Sequence, residues 1–254
     1  MNFKTINPDK SISLFVKNIL VFEETQTVQK TILPFFADGY PGLMFQETEK
    51  GLLVSPHNKL MPSLFLYGQT IKPIELIIEG KYKLIVFQLY PFVLKSFFNV
   101  TAKDINDGCY DLKQMENANL FIEKLMQKSK SENRIEIITK FLLNIFQAKR
   151  KTLDMQIGQA IQIIIDNKGQ ISIKEICNKI YITERTFERR FLKEVGISAK
   201  QFSTIIQFQL SLQQLTLKDF SKLTDIVYNN GYADQSHFIK VFKAFTGKTP
   251  KAFK

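Results

Sequence analysis

The sequence predicts an α+β chain of two domains, and three observations lead to this prediction. Short runs rich in β-branched and aromatic residues, separated by Gly and Pro, fill residues 1–114. From about Met115 onward, the apolar residues recur at helical spacing. Residues 152–254 repeat one helical pattern at an offset of 50 to 51 residues. We therefore expect a first domain over residues 1–151 and an all-α second domain over residues 152–254.

The first domain is expected to be mainly an antiparallel β barrel-like domain that ends in helices. The runs "GLMFQE", "GLLVSP", "PSLFLYGQT", "PIELIIE" and "YKLIVFQLY" have strand character and follow one another at short, regular intervals. This spacing is typical of a closed sheet, either a barrel or a sandwich, with an apolar interior. The aromatic residues expected to line a pocket for a small organic molecule are Phe35, Tyr40, Phe45, Phe65, Tyr67 and Phe87.

Two helices are predicted between the strands and the second domain. Apolar residues at helical spacing run from Leu120 to Met126 and from Ile135 to Ile145. The charged segment "QAKRKT", residues 147–152, is the predicted linker. Core packing explains the apolar faces of both helices, and contact with a second subunit in a homodimer is the alternative.

The composition favours a polyanionic partner. The chain has 254 residues and a formal net charge of +11, which is typical of proteins that bind nucleic acid or a membrane surface. The longest nearly apolar run, residues 84–94, is too short to span a bilayer. The sequence begins without a signal-peptide pattern, so we expect a cytoplasmic protein with no membrane partner.

The residue types that most catalytic and metal sites need are scarce. The chain has two His and two Cys, and no Cys pair has the spacing of a zinc site. We therefore expect no metal, no cofactor and no catalytic residue. An enzymatic first domain remains the alternative, including one that accepts alkyl groups on Cys109, although the acidic neighbours of Cys109 disfavour a thiolate.

The repeat has the pattern of two helix-turn-helix units. In "IKEICNKIYITERTFERRFLKEVGISAKQF" and "LTDIVYNNGYADQSHFIKVFKAFTGKTPKAF", Phe187 corresponds to Phe238 and Gly196 to Gly247. Thr183 and Asp234 precede the second helices as N-caps, and the two glycines end them. The sequence therefore predicts two short helix pairs of this type, joined by a helix of about 18 residues that is roughly 27 Å long.

The repeat resembles the DNA-binding domain of the AraC/XylS family of bacterial transcription regulators over residues 154–253. The segment "GYADQSHFIKVFKAFTGKTPKAF" matches the family signature nearly in full, and "ITERTFERRFLKEVGISAKQF" matches the first unit. The resemblance implies a regulator that binds double-stranded promoter DNA, with RNA polymerase, a small organic effector and a second copy as further partners. The segment "FADGY" has a weaker similarity to the sensing domains attached to such units.

The positions of residues within the matched motifs imply two kinds of DNA contact. The candidates for reading base edges are Arg185, Glu188, Arg189, Gln235, Ser236 and Lys240. The candidates for contacts to the DNA backbone are Thr183, His237, Lys243, Thr249 and Lys251. A solvated helix face would explain either set alone, but the repetition of the pattern favours DNA. An RNA or membrane-surface binder would explain the charge without explaining the repeat.

Overall fold

The computed structural model describes residues 2–115, 118–149, 153–220 and 222–253. Ten strands occupy the first part of the chain as far as the structure describes it. They are β1 (Asn2–Ile6), β2 (Val16–Glu24), β3 (Thr31–Phe35), β4 (Gly42–Thr48), β5 (Leu52–Ser55), β6 (Lys59–Leu60), β7 (Leu64–Tyr67), β8 (Ile74–Ile78), β9 (Tyr82–Leu89) and β10 (Cys109–Asp111).

Nine α-helices follow or interrupt these strands within the described residues. They are α1 (Val93–Phe98), α2 (Ala118–Met126), α3 (Ser131–Lys149), α4 (Met155–Asp166), α5 (Ile173–Ile180), α6 (Glu184–Val195), α7 (Ala199–Leu217), α8 (Leu223–Asn229) and α9 (Gln235–Thr246). Not one of these helices is long and apolar enough to cross a membrane.

The strands form two antiparallel sheets. The six-stranded sheet has the order β1-β2-β9-β4-β7-β10, and the four-stranded sheet has the order β3-β8-β5-β6. The α+β class and the barrel-like N-terminal domain are confirmed, but the expectation of one closed sheet is wrong. Hydrogen bonding divides the described strands between two separate sheets, which leaves each sheet with open edges.

The six-stranded sheet lies between two apolar layers because its side chains alternate between its faces. On β4, Met44 belongs to the core shared with the four-stranded sheet, whereas Phe45 belongs to the core beneath helices α1, α2 and α3. On β9, Val86 and Phe87 alternate in the same way. The sheet therefore has one face for the interior of the β domain and one for the helices.

The two helices predicted before the second domain are present, and α3 is longer than expected. Residues 147–149 of the predicted linker are the last turn of α3, because Phe146 packs into the core and carries the helix into the charged segment. Residues 150–152 lie outside the described residues, and the predicted boundary between residues 151 and 152 falls there. It stays a prediction.

The C-terminal part is all-helical, as the repeat predicted, and residues of both units form one shared core. Phe187 and Phe191 of α6 have ring centroids 5.4 Å apart, and Phe238 and Phe242 of α9 have centroids 5.7 Å apart. The central helix α7 connects the two aromatic groups, since its Phe202 and Phe208 contact Phe191 and Phe242 respectively. Edge-to-face and tilted contacts at these separations are favourable for aromatic pairs.

A five-residue segment after β3, residues 36–40, joins the β domain to helix α7. We call it the junction loop. The Nε2 of Gln209 on α7 donates to the carbonyl oxygen of Ala37, and Gln69 Nε2 donates to the carbonyl oxygen of Gly39 at 3.1 Å. Gln88 Nε2 of β9 donates to Asp38 Oδ2 at 2.7 Å. Three glutamines, from α7, from β9 and from the segment after β7, therefore hold three consecutive residues of the loop.

Glycine is required at position 39 of this loop. Gly39 has a φ of +81°, and a Cβ there would lie 3.0 Å from the Phe202 ring and 3.6 Å from Ile205 on α7. Both the left-handed backbone and the close approach to the helix favour glycine. Ala37 is fully buried in the core of the C-terminal helices, so the loop is packed as part of that domain.

A second contact between the domains lies at the end of α6. Asn106 Nδ2 donates to the carbonyl oxygen of Gly196 at 2.9 Å. A Cβ on Gly196 would lie 2.8 Å from the backbone of Ala102, so the N-terminal domain closely approaches the turn that ends α6. The turn that ends α6 is therefore packed against the N-terminal domain.

We expect the junction loop to make the stability of the protein depend on pH. Burial raises the pKa of Asp38 to about 6 from an ordinary value of 3.8, although Lys17 nearby and the bonds from Tyr40 and Gln88 favour the carboxylate. A raised pKa in the folded state means that the folded state binds the proton more tightly than the unfolded chain. The free energy of unfolding should therefore fall by about 1–3 kcal/mol as pH rises from about 4 to above 6.

Urea unfolding at pH 4.5 and pH 7.5 measures this dependence, with Asp38→Asn as the control. Because other carboxylates also titrate in this range, the informative quantity is the difference between wild type and variant. An Asp38→Asn protein with the same pH dependence as wild type would contradict the assignment.

Candidate nucleic-acid interface and internal cavity

The first helix-turn-helix unit consists of α5 and α6 and is fixed by a series of local caps. Ser172 Oγ accepts a hydrogen bond from Glu175 N, and Glu175 Oε2 accepts one from Ser172 N, which is a capping box at the start of α5. Tyr181 ends α5 with a φ of +56°. Thr183 Oγ1 accepts from Thr186 N and thereby caps α6, as the sequence predicted.

The second unit, α8 and α9, follows the same plan with different residues. Asp225 Oδ2 accepts from Lys222 N at 2.7 Å at the start of α8. Gly231, at a φ of +72°, forms the turn, and Asp234 Oδ1 accepts from His237 N at 2.7 Å at the start of α9. Gly247 ends α9 in the left-handed region. The local chemistry in the sequence therefore sets where both recognition helices begin and end.

The candidates for reading bases lie on the outer faces of α6 and α9. Within the described residues, no hydrogen bond or ion pair joins their side chains to another part of the protein. Those that are exposed are Arg185, Arg189, Gln235, Ser236 and Lys240. Glu188 is half-buried. The inner faces of the same helices carry the core phenylalanines, which leaves these side chains free to meet a partner.

The candidates for backbone contacts fall into two groups. His237, Lys243 and Lys251 are exposed. Thr183 and Thr249 have structural roles, because each accepts a hydrogen bond from a backbone N–H that follows it, Thr186 N and Ala252 N respectively. In this structure, their hydroxyl oxygens therefore cap the helices that follow them.

The neighbouring arginines of α6 have different surroundings. Arg190 points inward, where its guanidinium pairs with both carboxylate oxygens of Asp154 and donates to Gln156 Oε1 at 2.8 Å. Asp154 also caps α4 by accepting from Ile157 N at 3.2 Å. This pair fixes α6 against the start of α4. Sequence reasoning missed it, although an Asp directly before a helical pattern is a recognised N-cap signal.

The two recognition helices are connected by α7, whose 19 residues make a rod of roughly 28 Å at 1.5 Å per residue. Its buried face carries Phe202, Ile205 and Phe208. Successive major grooves on one face of a duplex are roughly 34 Å apart. A rigid helix of this length is suited to holding two recognition helices near that spacing.

An apolar cavity lies between the two sheets of the N-terminal domain. Three of the aromatic residues predicted to line a pocket, Phe35, Phe65 and Tyr67, line it together with Met44 and other apolar residues. His57 and Lys59 are exposed and lie at its rim. The residues that line this cavity are therefore mostly apolar.

The other three predicted pocket residues lie elsewhere. Phe45 and Phe87 belong to the core beneath the helices, because the period of two along a strand places them on the opposite face from Met44 and Val86. Tyr40 lies at the domain junction, where Lys17 Nζ is 3.8 Å from the centre of its ring. Hydrophobicity alone does not reveal which face of a two-sided sheet a residue occupies.

The cavity and the junction loop are continuous along the chain. Phe35 lines the cavity and Phe36 begins the loop, where its ring lies 5.6 Å from that of Phe253 near the C-terminus. On the opposite wall, Tyr67 and Gly68 line the cavity, and Gln69 holds Gly39. The three glutamines gave no signal in the sequence, because isolated polar residues in strands, helices and loops are mostly ordinary surface residues.

Comparisons with known proteins give matches to both parts of the chain. The model of a family described as "Helix-turn-helix domain" matches residues 176–254, and that of a "Domain of unknown function (DUF6597)" matches residues 4–111. Uncharacterized HTH-type transcriptional regulators from several strains of Staphylococcus aureus are 26% identical over 84 residues. The match covers 33% of this chain and 11% of the length of those relatives.

The comparison with solved structures also gives matches. A structure of ToxT from Vibrio cholerae superposes with a TM-score of 0.49 at 15% identity, over 98% of this chain and 97% of that one. The AraC-like transcriptional activator CuxR superposes with a TM-score of 0.31 at 10% identity, over 86% of this chain and 87% of that one.

The two adjacent arginines of α6 provide a matched test of their structural roles. Arg190→Ala should lower the free energy of unfolding by roughly 1–3 kcal/mol, because it removes a partly buried ion pair and leaves Asp154 without its partner. Arg189→Ala, on the exposed face one residue earlier, should change it by less than about 0.5 kcal/mol. Chemical denaturation of both variants measures the two effects, and equal losses would contradict the assignment of Arg190 to the interior.

Proposed function

We propose that the chain is a sequence-specific DNA-binding transcription regulator rather than an enzyme, and that residues 176–254, which match the helix-turn-helix model, are its AraC-type DNA-binding domain. The observation that carries the proposal is the pair of outward recognition faces on α6 and α9, held at the two ends of α7. The double-stranded DNA of a promoter is the partner that such a pair fits. The net charge of +11 favours association with a polyanion.

Two kinds of residue on these helices would make two kinds of DNA contact. Arg185, Arg189 and Gln235 have side chains that form specific hydrogen bonds with base edges, and Arg pairs bidentately with guanine. Lys243 and Lys251, in the last turn of α9 and beyond it, have the chemistry of phosphate contacts. Base contacts would set the sequence preference, and phosphate contacts would supply affinity that depends on salt.

Replacing one residue of each kind separates these roles. Arg189→Ala should cost roughly 1–3 kcal/mol on the cognate duplex and little on a scrambled duplex, because only a base contact depends on sequence. Lys251→Ala should weaken binding to both duplexes about equally and lower the slope of log K against log salt by about one. Fluorescence anisotropy titrations at several salt concentrations measure both.

Failure of the two variants to differ between the duplexes would contradict this division of roles while leaving DNA binding intact. If wild type bound every duplex with one affinity, sequence-specific recognition itself would be refuted.

We further propose that the N-terminal domain senses a small organic effector and transmits its presence to the DNA-binding domain. The cavity between the sheets offers an apolar site, and the junction loop begins where the lining residue Phe35 ends β3. A molecule that displaces Phe35 or Tyr67 would move residues adjacent to the loop and to Gln69. The loop is hydrogen-bonded to Gln209 on α7, so such a shift would reach the helix that sets the spacing of the two units.

Further partners follow from this role. A homodimer formed through α2, one of the two helices before the second domain, is supported by the exposed apolar side chains of Leu120 and Met126, which are 60% and 41% exposed. A regulator bound at a promoter acts on transcription by RNA polymerase, which we include as a partner. The cytoplasm is the compartment in which all of these partners of a bacterial regulator are present.

Filling the cavity should abolish effector binding. Val54 is buried and lines the cavity, so Val54→Phe would occupy its space at a cost of about 1–3 kcal/mol in stability. The control Ile32→Phe places the same ring on the exposed face of β3, where Ile32 is 47% exposed. A thermal-shift screen of small apolar compounds should find compounds that stabilise wild type and Ile32→Phe but not Val54→Phe. Stabilisation of all three proteins by the same compounds would place their site elsewhere.

A further inference from the structure

The two recognition helices differ in charge on their outer faces. The face of α6 carries Glu184, Arg185, Glu188 and Arg189, whose charges cancel, whereas that of α9 carries the positive Lys240 and Lys243 without a carboxylate. At the position of the repeat where α6 has Glu188, α9 has Ile239. A carboxylate in the middle of a face that meets DNA is unfavourable unless it has a partner there, because phosphates repel it.

Folding gives Glu188 no compensating partner. Within the described residues, no hydrogen bond or ion pair to its side chain is present. Arg190, two residues later on α6, is paired with Asp154 instead. Partial burial and the neighbouring Glu184 raise the pKa of Glu188, so its surroundings disfavour the charge. No contact within the described part of the protein therefore explains why a carboxylate occupies position 188.

The major groove offers such a side chain few partners. A carboxylate accepts hydrogen bonds only, and the base donors exposed in that groove are cytosine N4 and adenine N6. Adenine presents its N7 acceptor beside N6, which repels a carboxylate, whereas a carboxylate accepting from cytosine N4 is a standard pairing. The next residue, Arg189, supplies the donors that guanine O6 and N7 accept.

We propose that Glu188 is a specificity-determining residue that selects a cytosine in the half-site read by α6, beside a guanine contacted by Arg189. This inference rests on the proposed DNA-binding function. The first unit then recognises a C·G-containing half-site with little net electrostatic attraction. The second unit supplies more of the charge-driven affinity, and Ile239 at the equivalent position suits a thymine methyl group rather than a donor.

Selection from a pool of randomised duplexes by the full-length chain tests the proposal, followed by titrations on single-base variants of the selected site. Wild type should prefer cytosine over the other bases at one position by roughly 5- to 150-fold. Glu188→Gln should lose this preference and favour adenine there, because Gln pairs bidentately with adenine N6 and N7.

Glu184→Gln is the matched control, because it removes the same charge one turn earlier on the exposed side of α6. It should raise affinity for all duplexes by a similar factor and leave the base preference unchanged. If Glu188→Gln also raises affinity uniformly without altering the preferred base, Glu188 only repels DNA and the inference is wrong. If wild type enriches no sequence at all, the proposed function fails, and this outcome is distinct from the previous one.

Discussion

The structure depends above all on the hydrogen bonds that the polar groups of the junction loop receive. A loop buried between two domains must find partners for its polar groups, because an unpaired buried group costs free energy comparable to a lost hydrogen bond. Here Gln209, Gln88 and Gln69 supply donors to residues 37, 38 and 39 in turn. Since these donors come from α7, β9 and the segment after β7, one short loop fixes the helical domain relative to both the sheet and the cavity wall.

The same loop contains a carboxylate, that of Asp38, whose burial is energetically unfavourable. Asp38 is held largely away from water, and its raised pKa reflects the cost of that burial. Its partners Gln88 and Tyr40 N compensate only partly. The packed pair of Arg190 and Asp154 has the opposite character, because it locks α6 onto α4.

The two helix-turn-helix units show how one local pattern serves two chemical tasks. Inward positions, such as Phe187 and Phe238, are the same in both units, since both must fill one aromatic core. Outward positions differ, with Glu188 in the first and Ile239 in the second. The N-caps and the glycines that end the helices also repeat. The second helices of the two units therefore begin and end alike, while their outer faces carry different residues.

The sequence by itself determined the elements that depend on local chemistry. Thr183 and Asp234 as caps, Gly196 and Gly247 as helix ends, and the aromatic pairs of both units follow from residue type and spacing, which act within a few residues of the chain. The tertiary structure alone decided what depends on distant segments meeting. Which face of the sheet Phe45 occupies, the division into two sheets, the partner of Arg190 and the three glutamines around residues 37–39 are set by packing between elements far apart in the chain, where no local preference acts.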